Sequence, residues 1–300
     1  VITESHAGRE AVMASSFVDC TGYGDLCARS GADFSVPDDY ASCNSFGLAN
    51  ASIEDYHAFL RAHDAVGQVC PDTREEPENA FVRMGAEMLD LPGLSDEARE
   101  IGLSLVTTTV RDSYLMFLKT NYKVPGSVLD RDDMARAEIE VRKRMARGAQ
   151  LLRKHVPGFE RAFMARSSPS MCIRRGRLID CDYDVTHDDV IEGRHFEDDV
   201  FAYGFHDMAP RYQIKDGGTY GIPYRALCVK GLDNLYAAGM MITSDHRAHM
   251  STRNTVSCMG QGQATGTAAA LCAAKELGSR ELPKTALRDA LVQGGVYFES

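Results

Sequence analysis

Phe17-Val-Asp-Cys-Thr-Gly-Tyr-Gly-Asp25 is the stretch on which the fold reading turns. It closes a short apolar run that opens at Ala11, and it stops at a glycine-rich turn. Strand, turn and then a short helix from Leu26 to Ser30 is the reading these residues support. The other end of the chain repeats the pattern, since Asn234-Leu-Tyr-Ala-Ala-Gly239 is again a buried type of strand that halts at glycine. A helix is expected from about Gly262 to Leu277, closed by Gly278. Both ends therefore read as α/β.

The middle of the chain reads differently. Met134, Val141, Met145, Ala149, Leu152 and Val156 recur at helical steps and form one apolar stripe. Asp132 and Asp133 place negative charge at the helix start, and Pro157-Gly158 ends the pattern. The opposite face carries Arg136, Arg142, Lys143, Arg144, Arg147, Arg153 and Lys154, which suits a solvated face better than a nucleic-acid or lipid site. Thr219 to Leu227 reads as extended, with Pro223 arguing against a central strand.

Composition sets the outer bounds. The chain has 300 residues, 44% hydrophobic and 25% charged, which is ordinary globular usage. At about 150 residues per domain it makes one large domain or two ordinary ones. Thirty-three Lys and Arg against 43 Asp and Glu give a net charge of −10, and such a chain lacks the footprint of a general nucleic-acid binder. The run of small residues from Thr267 to Ala274 is too short to span a bilayer, so no membrane partner and a cytoplasmic address are expected. The nine Cys include no CxxC pair and read as buried small side chains in a reducing compartment.

Two constellations carry candidate chemistry. Gly22, Gly24 and Cys27 have the spacing of GxGxxG with cysteine in the third place, so this is a turn that approaches a ligand or a tight turn without one. Gly262, Gly266 and Ala270 make one side of the C-terminal helix very small. That suits either close helix packing or a flat cofactor beside the helix N-terminus. His246 and His249 have HxxH spacing but lack a third ligand, so no metal is expected. No GxSxG elbow is present for a serine hydrolase.

The blocks Tyr220–Leu227, Asp233–Gly239, Ile242–Arg253 and Cys258–Ala270, in this order, resemble the C-terminal part of FAD-dependent oxidoreductases of the glutathione-reductase-like group. Phe17–Leu26, Asp130–Arg142, Val156–Glu160 and Ile173–Asp189 extend the resemblance over most of the chain. It implies an α/β protein with an incomplete Rossmann-like FAD-binding domain at 1–34 and 218–300. A mixed, largely helical substrate domain is inserted at 35–217. It also implies FAD contacts from Thr21, Gly22, Gly24, Asp25, Gly239, Met240, Ser251, Gly262, Gln263 and Ala264. His246 and Arg253 would line the reactive side of the flavin, and Arg174, Arg177, Tyr224 and Arg225 would meet substrate. Of these, Tyr224 reads more readily as a packing residue than as a proton donor, and His246 reads equally as a hydrogen-bonded scaffold.

The relatives' N-terminal GxGxxG has no counterpart here, so another chain or segment supplying that half is expected, and with it an oligomer. The function implied is hydride or electron exchange between a small organic substrate and flavin N5. The alternative is a non-catalytic subunit that completes a partner's flavin site.

Overall fold

In the computed structural model, residues 1–71, 81–86, 93–111, 113–206 and 212–299 are described. The chain divides into two compact units, Val1–Asp39 with Arg175–Ser300, and Tyr40–Arg174. The second boundary therefore falls at 174/175, well before the expected 217/218. The reason is burial. Ile179, Val185, Val190, Val200, Phe201 and Ile222 belong to the same apolar core as Leu235, Ala237 and Ala264.

In the first unit, Phe17–Asp19 and Leu235–Ala237 pair in parallel, with Val18 opposite Tyr236 and Asp19 opposite Ala237. Thr255–Lys275 forms a long helix packed on this pair. Among the described residues, parallel pairing is confined to this ladder and to single bridges at Ile179–Ile242 and Val185–Ser244. The remaining strands form small antiparallel pairs, such as Asp199–Tyr203 with Tyr220–Pro223. Pro223 is tolerated there at the end of a strand in a two-stranded sheet. The result is a mixed α/β unit of helices and small sheets.

The 40–174 unit corrects the expectation of a largely helical insert. It is built on a seven-stranded antiparallel sheet. The strands run in the order Phe163–Ser167, Ser42–Ala49, Tyr114–Tyr122, Val106–Arg111, Phe81–Ala86 and Val66–Pro71, and Leu103–Ser104 pairs on Tyr114–Tyr122. Two of its strands hide from a pattern search, each for its own reason. Ser42–Ala49 is buried on both faces, so it does not alternate. Tyr114–Tyr122 changes register between Leu115 and Leu118, with Phe117 at φ 62°, so its alternation slips halfway along.

The long helix is where the stripe put it, at Arg131–His155. Asp130 caps it by accepting from the N–H groups of Asp132 and Asp133, both at 2.9 Å. Val141, Met145 and Leu152 lie in the core against Phe46, Leu48 and Leu115. The basic face is solvated and paired with local acids, as in Arg142–Glu138 and Arg144–Glu140. Leu152 is fully buried, so Leu152→Ala should cost about 2–5 kcal/mol in urea unfolding. A loss below 1 kcal/mol would contradict this packing. No helix among the described residues is long and apolar enough to cross a membrane.

Candidate cofactor site

The glycine turn after Phe17–Asp19 is organised by a buried carboxylate. Asp19 is 1% exposed. One of its oxygens accepts from the Thr21 N–H at 2.9 Å and the Thr21 hydroxyl at 2.7 Å, and the other accepts from the Cys27 N–H at 2.8 Å. The Thr21 hydroxyl in turn accepts from the Asp25 N–H at 2.9 Å. Gly22 and Gly24 both take left-handed conformations, at φ 83° and 65°. Gly24 caps the helix Asp25–Arg29, so the helix begins one residue earlier than expected. A methyl group on Gly24 would sit 2.4 Å from Cδ1 of Ile179, whereas one on Gly31 (φ 90°) would meet nothing within 4 Å. Gly24→Ala should therefore destabilise by about 1–3 kcal/mol more than Gly31→Ala, since only the former adds overpacking to backbone strain. Equal melting shifts for the two variants would contradict this.

The second turn follows Leu235–Ala237. Gly239 stands at φ 116°, and a methyl group there would meet no heavy atom within 4 Å. Its N–H donates to Oε1 of Gln261 at 2.7 Å. Gln261 is fully buried, and its amide nitrogen donates to the Thr252 carbonyl at 2.9 Å and the Ser257 hydroxyl at 3.2 Å. A methyl group on Gly22 would lie 3.6 Å from Cε of Met240, so the two glycine turns abut. Both lie at the carboxyl ends of the parallel strands, where open α/β sheets hold their ligands.

A free helix end follows, though not where the sequence placed it. The helix starts at Thr255, and Gly262 is two turns inside it. The N–H groups of Gly262, Gln263 and Ala264 are therefore committed within the helix. Gln263 is exposed and donates to the Gly294 carbonyl at 3.2 Å, and Ala264 is fully buried. The free end belongs to Thr255, Val256 and Ser257, because the first helical bond runs from the Cys258 N–H to the Asn254 carbonyl at 2.9 Å. Asn254 makes no side-chain cap, since its amide turns back to donate to the Met250 carbonyl at 3.2 Å. The end stays open, with Arg253 immediately before it. An asparagine ahead of Thr-Val-Ser was the readable sign of this start. It was missed because Thr255 to Gly262 has no apolar period.

Several expected ligand contacts are occupied within the protein. The Ser251 hydroxyl is buried and shared with the Tyr220 hydroxyl (2.7 Å) and the Phe205 carbonyl. Tyr224 is buried, with its hydroxyl donating to the Ser279 carbonyl at 2.8 Å, and burial pushes its phenol far above the usual range. Its hydroxyl is thus engaged within the core. Arg225 pairs with buried Asp198 and lies over the rings of Tyr183 and Phe196, 4.5 and 5.0 Å from their centroids. Arg177 holds the glycine turn, donating to Asp25 at 2.7 Å and to the Tyr23 carbonyl at 3.0 Å. Arg174 belongs to the other unit and lies over the Tyr40 ring.

His246 opens the helix His246–Thr252, and its Nδ1 lies 3.1 Å from an oxygen of Asp39. The other Asp39 oxygen is 3.1 Å from Nε of Arg175. Burial holds the Arg175 guanidinium below its ordinary range, with Asp39 and Asp245 opposing that fall. Arg175 and Asp39 are site neighbours that the sequence reading missed, and no motif spacing marks them. His249 is fully buried. No cluster of three or more metal-ligating side chains occurs among the described residues.

Two left-handed glycine turns at the carboxyl ends of parallel strands and an uncapped helix end together make a candidate ligand site in a mixed α/β unit. The model of the FAD dependent oxidoreductase family matches residues 1–291, and the chain belongs to that family. FAD is accordingly its cofactor, and its chemistry is redox. No curated protein and no solved structure matches the chain.

Proposed function

We propose that this chain exchanges hydride or electrons between a small organic substrate and flavin N5, bound beside Thr21–Asp25, Gly239–Met240 and the helix end at Asn254–Ser257. The uncapped helix end carries this reading. Its N–H groups and dipole suit the electron-rich pyrimidine rim of a flavin that gains charge on reduction. Bound flavin supplies the redox chemistry itself. Gly22 and Gly239 let the backbone approach closely, since neither carries a side chain at its left-handed position. Arg253 adds a fixed positive charge for an anionic substrate or for charge on the ring. Asp39, 3.1 Å from Nδ1, orients the His246 ring, which gives or takes a proton at Nε2 as general acid or base. The open side of the long helix supports the docking of a further segment that binds the ADP half. Methyl groups on Gly262 and Gly266 would meet no heavy atom within 4 Å among the described residues.

The test is the purified protein's visible spectrum. Flavin bands, present as isolated or gained on adding FAD, are the expected result. Protein that stays colourless after reconstitution with FAD and any co-purifying chain would overturn the proposal.

A further inference from the structure

Cys43 and Cys172 stand directly opposite one another in the 40–174 unit although 129 positions separate them in sequence. The Cys43 N–H donates to the Cys172 carbonyl at 3.1 Å, and the Cys172 N–H donates back to the Cys43 carbonyl at 2.7 Å. This reciprocal exchange is the hydrogen-bonded antiparallel pair, whose α-carbons stand about 5.5 Å apart. That spacing falls within the roughly 4.4–6.8 Å that disulfides span. Side chains at directly opposed positions leave the same face of the ladder, so the two sulfurs are neighbours. Cys172 is exposed while Cys43 is 4% exposed, so one thiol is open to attack and the other is sheltered behind it.

We propose that Cys43 and Cys172 are a reversible thiol–disulfide pair, oxidised by small-molecule disulfides, that clamps the two ends of the 40–174 unit together. The Cys172 thiolate attacks one sulfur of the small disulfide, forming a mixed disulfide and releasing one small thiolate. The Cys43 thiolate then attacks the Cys172 sulfur, forming the Cys43–Cys172 bond and expelling the second small thiolate. The protons of the two cysteines pass to the two released thiolates, and the electron pair goes to the small disulfide. Cys43 is sheltered in its resting state, since contact with the Cys172 thiol and burial both push its own thiol up, while the charge of Arg174 works in the other direction. Capping Cys172 as a mixed disulfide removes the first of these causes and leaves Arg174 to favour the resolving thiolate. The positions of the pair give the bond its consequence. Residues 43 and 172 lie just inside the ends of the unit at Tyr40 and Arg174, so the bond closes nearly the whole unit into one loop.

The full-length protein, treated natively with oxidised glutathione and mapped by non-reducing peptide mass spectrometry, tests this. The expected product is a peptide pair cross-linked through Cys43 and Cys172, with no glutathione retained on Cys172 and with reversal by dithiothreitol. Cys43→Ser should instead accumulate glutathione on Cys172, because the resolving thiol is gone, and should release half as much glutathione from this site as wild type. The proposal is overturned if wild type retains the adduct at Cys172 as the variant does, or if Cys172 stays unmodified, or if either cysteine pairs elsewhere.

Discussion

Replacing Asp19 by alanine should destabilise the protein by about 3 kcal/mol and strip it of flavin. The carboxylate is buried and accepts three hydrogen bonds, from the Thr21 N–H, the Thr21 hydroxyl and the Cys27 N–H. Hydrogen bonds to a charged acceptor contribute about 1.5–3 kcal/mol each, and donors left buried without a partner add a desolvation penalty. Local relaxation and entering water reduce the sum. Asp19→Asn keeps one accepting oxygen but aims an amide N–H at a donor, so it should cost roughly half as much. Urea titration followed by absorbance of retained flavin reads both effects. A fully stable Asp19→Ala variant with normal flavin content would show that the turn does not depend on this carboxylate.

Arg253→Ala should lower turnover by about 10²–10³-fold while flavin stays bound. That is the range seen when one preorganised donor is removed from developing charge. Arg253 ends the helix His246–Thr252 and precedes the open end of the next helix, so its loss removes charge without breaking either element. Anaerobic reduction of the flavin in stopped flow separates this from weaker cofactor binding. Unchanged turnover would favour a subunit that shapes a flavin site without taking part in the reaction.

Much of the first unit could be read from the residues alone because its signals are local. A short apolar strand ending in glycine at Phe17–Gly24 and again at Leu235–Gly239 leaves few alternatives, and the parallel pairing of the two strands fits that reading. The helix Arg131–His155 was legible because a stripe and an acidic start agree. The sheet around that helix was not legible. Ser42–Ala49 is buried on both faces and Tyr114–Tyr122 changes register at Leu115–Leu118, so neither of these two strands builds up a period of two. The helix end at Asn254 was missed for a related reason. Small and polar residues fill its first two turns, and the glycine-rich stripe further along drew the boundary toward Gly262. Gln261, Asp39, Arg175 and the Cys43–Cys172 pair act through contacts that sequence spacing cannot reveal, since each partner comes from a distant part of the chain.

Hydrogen–deuterium exchange of the purified protein, with and without FAD, tests the location of the cofactor most directly. Slowed exchange should concentrate in the backbone amides of 20–25, 239–241 and 255–258 when FAD is bound. Saturating FAD that leaves these amides unchanged, with protection falling in the 40–174 unit instead, would place the flavin elsewhere and contradict this account.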